Sequence, residues 1–328
     1  MLYPLTFKPI FKERVWGGRR LEKLFHKPLP AGVVIGESWE ICDRPDDVSV
    51  IANGALAGKD LHWLVEKHPD ELFGKAKAVG GRFPLLIKLL DAQDKLSLQV
   101  HPPRARAVEL GGEPKTEMWY IAEAQPGAEL YVGLRPGVTP DMFETKLQDG
   151  TVAECFHRVQ VRAGDVMFLP SGRVHAIGAG LVIFEIQQNS DTTYRVFDWN
   201  RQGLDGKPRA LHLRESLQSI DFQDFEPSLV RAPKKIKGAV AVRELVRDPL
   251  FDIDSIEFGA GSAHFLEPGK LHVVGAVAGQ VQIGSAAGAA LLSAGQFCLV
   301  PAALTNVSMQ ASAPATALRS SLGTESAS

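Results

Sequence analysis

The sequence predicts a mainly β protein made of two β-barrel modules. Three observations carry that expectation: an excess of turn-forming residues, a succession of short strand-like segments, and one internal repeat. The chain holds 31 glycines and 21 prolines, about 16% of its residues against an average near 12%. In the repeat, AGDVMFLPSGRVHA (163–176) aligns without gaps onto AGQFCLVPAALTNV (294–307). Each copy has Ala-Gly, an apolar run and a Pro. Five residues past the Pro stands His175 in the first copy and Asn306 in the second. Only the first copy keeps a potential metal ligand, so the second module reads as structural.

The elements follow in order. GESWEICDRP and DVSVIANG alternate and end at turn residues, as strands do. LHWLVEKHPDELFGKAKAV places Leu61, Leu64, Val65, Leu72 and Phe73 at helical spacing, which predicts one or two short helices within about 55–80. FPLLIKLLDAQ and LSLQVHP read as buried strands, followed by TEMWYIAEA, GAELYVGL and GDVMFLPSG. A helical segment is expected over about 139–158, with Thr139 capping and Pro140 at its first position. GLVIFEIQQ (180–188) is another strand, and residues 222–240 read as a connection. Short strands resume from 241, and the Ser/Ala-rich tail 311–328 is expected to be disordered at its end. The domain expectation is 1–235 for a catalytic module with the helical insertions and 236–328 for a second, metal-less module.

With 36 Lys and Arg against 38 Asp and Glu, the net charge is −2, which argues against a general polyanion or nucleic-acid binder and leaves room for a local basic pocket. Cys42, Cys155 and Cys298 form no CxxC pair and no disulfide framework, so a reducing, cytoplasmic setting is expected. The first residues show no signal-peptide pattern, and no apolar stretch is long enough for a membrane span. A monomer is the expectation.

Chemistry concentrates around LSLQVHP. On a strand, Gln99 and His101 leave the same face. Glu117 opens a strand in KTEMWY, and His175 sits at a strand end in SGRVHAIG. Two imidazoles, a carboxylate and an amide oxygen suit zinc better than calcium, and leave room for water or substrate. His26, His62, His68, His157, His212 and His272 read as surface or satisfied core residues. Trp119, Tyr194 and Trp199 read as barrel wall. GAG (178–180) is a turn, because no GxGxxG opens a helix here.

LSLQVHP, KTEMWY, LPSGRVHAIGAG and EIQQNSDTTYRVFDWNR together resemble the type I mannose-6-phosphate isomerases in their short bacterial form, from GESWE to about residue 215. KTE stands where KPE is common. The resemblance implies two cupin-type (jelly-roll) barrels, one zinc ion per chain, and the ligands Gln99, His101, Glu117 and His175. It implies Arg195 in the active site, stabilising an enediolate or contacting substrate, with Ser97 and Lys115 near the substrate phosphate. Lys115 shares a strand face with Glu117. Arg201 is a further substrate cation, and Glu185 a candidate proton-transfer base. The implied reaction interconverts mannose 6-phosphate and fructose 6-phosphate through an enediol, in which a metal and positioned donors stabilise charge on oxygen. Alternatives are another sugar or sugar phosphate, or a non-catalytic sugar-binding cupin. An iron oxygenase of this fold would carry His-x-His closely followed by Glu, whereas here the pair is Gln-x-His and the Glu lies 16 residues on.

Overall fold

The structure, a computed structural model, describes residues 1–324. The first barrel comprises β1 (Ile10–Gly18), β2 (Ile35–Ile41), β3 (Leu85–Ala92), β4 (Leu98–Val100), β5 (Glu117–Ala124), β6 (Glu129–Leu134), β7 (Phe156–Gln160), β8 (Val166–Leu169), β9 (His175–Ile177), β10 (Leu181–Gln188) and β11 (Tyr194–Phe197). They form one sheet in the order β1-β2-β3-β10-β5-β8 and another in the order β11-β4-β9-β6-β7. The second barrel comprises β12 (Lys234–Lys237), β13 (Val240–Arg247), β14 (Phe251–Phe258), β15 (Ser262–Phe265), β16 (His272–Ala278), β17 (Gln280–Ser285), β18 (Gly288–Ser293), β19 (Phe297–Val300), β20 (Ser308–Ala311) and β21 (Ala315–Leu322). Its sheets run β12-β13-β14-β21-β16-β19 and β15-β20-β17-β18. Each of these strands sits where the strand eleven places earlier sits in the first barrel, with β11 added at one edge there. The repeat read from the sequence therefore aligns β8 with β19. It sets His175, opening β9, against Asn306, just before β20.

Strand alternation explains both the packing and the place of the site. On β3, Leu85, Ile87 and Leu89 face the core between the two barrels, whereas Leu90 and Ala92 face the interior of the first. On β10 the outward set is Val182, Phe184 and Ile186, and the inward apolar pair is Leu181 and Ile183. On β5, Met118 and Tyr120 point outward and Trp119 and Ile121 inward. These strands are buried on both faces, which is why they read as apolar runs. By the same alternation Lys88, Glu185 and Glu117 belong to the inward faces. One end of the barrel interior is thus apolar and the other carries charge.

The outward core is shared. Phe184 and Phe25 of the first barrel pack with Phe251, Phe297 and Leu299 of the second. Leu5 and Leu299 exchange both backbone hydrogen bonds, at 2.9 and 2.8 Å.

The helices are α1 (Arg20–Phe25), α2 (Leu61–Lys67), α3 (Pro69–Phe73), α4 (Arg104–Ala107), α5 (Pro140–Gln148) and α6 (Leu213–Ser219). Asp60 caps α2 by accepting from Trp63 N at 2.7 Å, and Thr139 caps α5 by accepting from Met142 N at 3.2 Å. One expectation needs correction. The helical segment ends at Gln148, and Phe156–Gln160 is strand β7, because Phe156 packs into the core against Phe143 rather than continuing the helix. The Ser/Ala-rich tail is largely β structure: β21 is a central strand hydrogen-bonded to both β14 and β16, with Leu318, Ser320 and Ser321 buried. The end of that tail, residues 325–328, lies outside the described residues. The three cysteines are buried and unbridged. No helix among the described residues is long and apolar enough to cross a membrane.

Candidate metal centre and cleft

His101, Glu117 and His175 come together at the charged end of the first barrel, with ligand atoms within 4.8 Å of one another and all three side chains buried. The register brings them there. Gln99 on β4 pairs with His175 on β9, and Glu117 opens β5 in the facing sheet. Each imidazole is oriented through its other nitrogen: His101 Nδ1 donates to the Thr192 carbonyl at 2.8 Å, and His175 Nδ1 to the Arg173 carbonyl at 2.9 Å. This fixes the tautomer with a bare Nε2 facing inward. Burial, reinforced by Lys115, holds His101 down at about 3, and burial lowers His175 against the pull of Glu117. Both rings are therefore neutral, as metal ligands must be.

His101 Nε2 stands 3.6 Å from Glu117 Oε2, and His175 Nε2 stands 3.3 Å from Oε1. Among the described residues neither Glu117 oxygen, nor His101 Nε2, makes a directed hydrogen bond, although all are buried. Burial pushes Glu117 up, and the Lys115 ammonium leads the influences that hold the carboxyl low. Lys115 Nζ is 2.7 Å from Oε2. Converging lone pairs with no proton between them are costly unless a cation joins them. The donor set fits a divalent ion. Gln99 turns its amide nitrogen to His175 Nε2 at 3.2 Å, while its oxygen lies 3.4 Å from Ser97 Oγ. A ligand role for Gln99 requires the amide turned over, so that the oxygen faces the same point.

A cleft of about 510 Å3 opens above this floor, lined among others by Arg14, Glu37, Lys88, Ser97, Gln99, Lys115, Glu185 and Arg195. Glu185, Lys88 and Trp119 stand level on the adjacent strands β10, β3 and β5. Trp119 Nε1 donates to Glu185 Oε2 at 2.9 Å. Lys88 Nζ lies 3.3 Å and Lys115 Nζ 4.0 Å from Oε1. Burial and then the charge of Glu117 raise the Glu185 carboxyl, while the two lysines oppose the shift. Arg195 donates from Nη1 to the Ala210 carbonyl at 2.8 Å, and its buried Nε has no hydrogen-bond partner among the described residues. Arg201 does not line the cleft: it grips Asp198 at 2.9 Å and the Lys95 carbonyl.

Lys88, Glu37 and Arg14 also line the cleft, and the sequence by itself does not single them out. Burial opposes charge on Lys88, but Glu185 and Glu37 outweigh it and keep the ammonium protonated. Burial pushes Glu37 up, and Lys88, Arg14 and the Trp39 indole together hold it down at about 2. Arg14 Nε meets Glu37 Oε1 at 2.9 Å, and Trp39 Nε1 meets Oε2 at 2.6 Å. The one legible signal was a lysine breaking an otherwise apolar run in LLIKLL, where a strand buried on both faces has no exit for a charge.

Fold and site together define an enzyme of the cupin-barrel class whose site is suited to a metal ion. A family model for the catalytic domain of phosphomannose isomerase type I matches residues 5–117. The mannose-6-phosphate isomerase ManA of Bacillus subtilis is 44% identical over 220 residues, covering 66% of this chain and 68% of the relative. A mannose-6-phosphate isomerase of Streptococcus mutans is 38% identical over 285 residues, 86% and 87% of the two chains. The solved mannose 6-phosphate isomerase from Bacillus subtilis superposes with a TM-score of 0.88 at 29% identity, covering 97% of this chain and 99% of that one. The chain belongs to the type I mannose-6-phosphate isomerase family.

Proposed function

We propose that this protein interconverts mannose 6-phosphate and fructose 6-phosphate through an enediol, with one zinc ion held by Gln99, His101, Glu117 and His175. The observation that carries the reading is the buried convergence of two bare imidazole nitrogens and a carboxylate beneath a cleft that also holds Glu185. Bound there, the ion supplies Lewis acidity that polarises the sugar's oxygens and favours negative charge on them.

The protein's own groups do the rest. Glu185 is lifted toward the range in which a carboxylate can take and return a carbon-bound proton. Its Oε2 is held by Trp119, so the proton moves at Oε1, the oxygen beside Lys88 and Lys115. Lys115 compensates Glu117 and keeps a second ammonium close to the developing charge. Arg195, without a carboxylate partner among the described residues, offers N–H donors to the substrate. Ser97 presents a hydroxyl on the cleft wall.

The test is isomerisation of mannose 6-phosphate in deuterated water, read by NMR. The reading expects fructose 6-phosphate labelled at C1, because a proton held on Glu185 exchanges with solvent. Turnover with no label, together with full activity in Glu185→Gln, would replace the enediol by a direct hydride shift. No turnover by zinc-loaded protein would move the activity to another sugar.

A further inference from the structure

We infer that Arg209 and Arg195 together form the subsite for the substrate's phosphate, and that Arg209 sets the preference for a phosphorylated sugar. The inference rests on the isomerase reading above and deepens it.

Arg209, unlike Arg201, lines the cleft. Asp198 grips one edge of its guanidinium, with Nε at 2.7 Å from Oδ2 and Nη2 at 2.5 Å from Oδ1. No hydrogen bond occupies its Nη1 among the described residues. The same Asp198 also serves Arg201, so one carboxylate answers two guanidinium groups. Arg195 brings a third, with no carboxylate of its own among the described residues. Burial, and then the charge of Arg209, lower the affinity of Arg195 for its proton, as expected of two like charges set side by side. A dianion between them would relieve that repulsion, and a guanidinium fork matches phosphate oxygens.

The chain builds this arrangement locally. The carbonyl of Ala210, next to Arg209, accepts from Arg195 Nη1, which ties the two cations together. The preceding loop closes by a Gly203 N to Lys207 O bond of 2.7 Å. A Cβ at Gly203 would come within 3.3 Å of Arg209 Cγ, so the loop lies close against the arginine stem. Asp205 also lines the cleft, but its Oδ1 is taken by Lys207 N at 3.0 Å. The other phosphate candidates are engaged on the floor: Lys115 with Glu117, and Ser97 with Gln99. Arg195 is the register partner of Gln99. The two guanidiniums therefore lie one strand over from the metal ligands, where the far end of a sugar chain held by C1 and C2 would reach.

The experiment uses the metal-loaded protein and its Arg209→Gln and Arg209→Lys variants, with fold and metal content checked by circular dichroism and elemental analysis. Inorganic phosphate is the binding probe, read by calorimetry and by its competition against mannose 6-phosphate. For Arg209→Gln the expected result is a KM for mannose 6-phosphate raised at least about tenfold, as for loss of one charge-assisted contact, with kcat little changed. Phosphate binding should weaken in parallel, and Arg209→Lys should fall between. Unchanged KM and unchanged phosphate affinity in both variants would overturn the subsite. Phosphate binding lost in Arg209→Gln, in a protein that does not isomerise mannose 6-phosphate, would keep the anion subsite and remove the isomerase reading instead.

Discussion

Glu185 sits where two opposing influences meet: burial and Glu117 raise it, while Lys88 and Lys115 hold a charge ready to receive its proton. Glu185→Gln keeps the shape and the bond from Trp119. We expect kcat to fall by roughly 10²- to 10⁴-fold with metal content unchanged, the usual worth of a positioned proton-transfer group. A variant that turned over at the wild-type rate would assign the proton to another group. His175→Ala should instead lose the metal, by elemental analysis, and turnover with it. At this scale the ligand candidates were legible because strand alternation puts Gln99 and His101 on one face. Arg209 was invisible, because its meaning comes from Asp198 and Arg195, which lie near it only after the loop folds. The sequence offers Arg201 as a further cation candidate, and the fold turns it to Asp198 and Lys95.

Among elements, the pairing of β1 with β2 decides where Arg14 goes. Gly36 leaves space that Arg14 and Trp16 fill: a Cβ there would stand 2.5 Å from Arg14 Cβ and 2.8 Å from a ring carbon of Trp16. Gly36→Ala should destabilise the protein by about 1–3 kcal/mol through overpacking and weaken the Arg14–Glu37 pair, raising KM. Equal denaturation midpoints for variant and wild type would show that β1 shifts freely. Most strands were legible from alternation and turn residues. β7 was hidden behind helix-compatible residues after Gln148. β21 was hidden by its composition, since Ser and Ala carry little strand preference and the strand exists because β14 and β16 bury it from both sides.

Across the whole molecule, one core joins the barrels, so stability and pH response belong to both. His272, in the second barrel, is held down at about 4 by burial, donating from Nε2 to the Glu267 carbonyl at 2.8 Å with Nδ1 unpartnered among the described residues. As pH falls below about 6.5 the unfolded chain takes up a proton that the folded site refuses until about 4. Stability present above this window is lost as pH falls through it, by about 3 kcal/mol at most. His272→Gln should flatten the fall in urea-unfolding free energy between pH 7 and pH 5, and a curve parallel to wild type would contradict this. The two-barrel plan was readable from a short repeat. The sharing of one core was not, because it depends on which strand faces meet. Metal dependence of the isomerisation is tested by converting mannose 6-phosphate to fructose 6-phosphate before chelation, after chelation, and after zinc is returned. Activity, its loss, and its recovery are expected in turn. Full activity in protein shown to be metal-free would contradict that dependence.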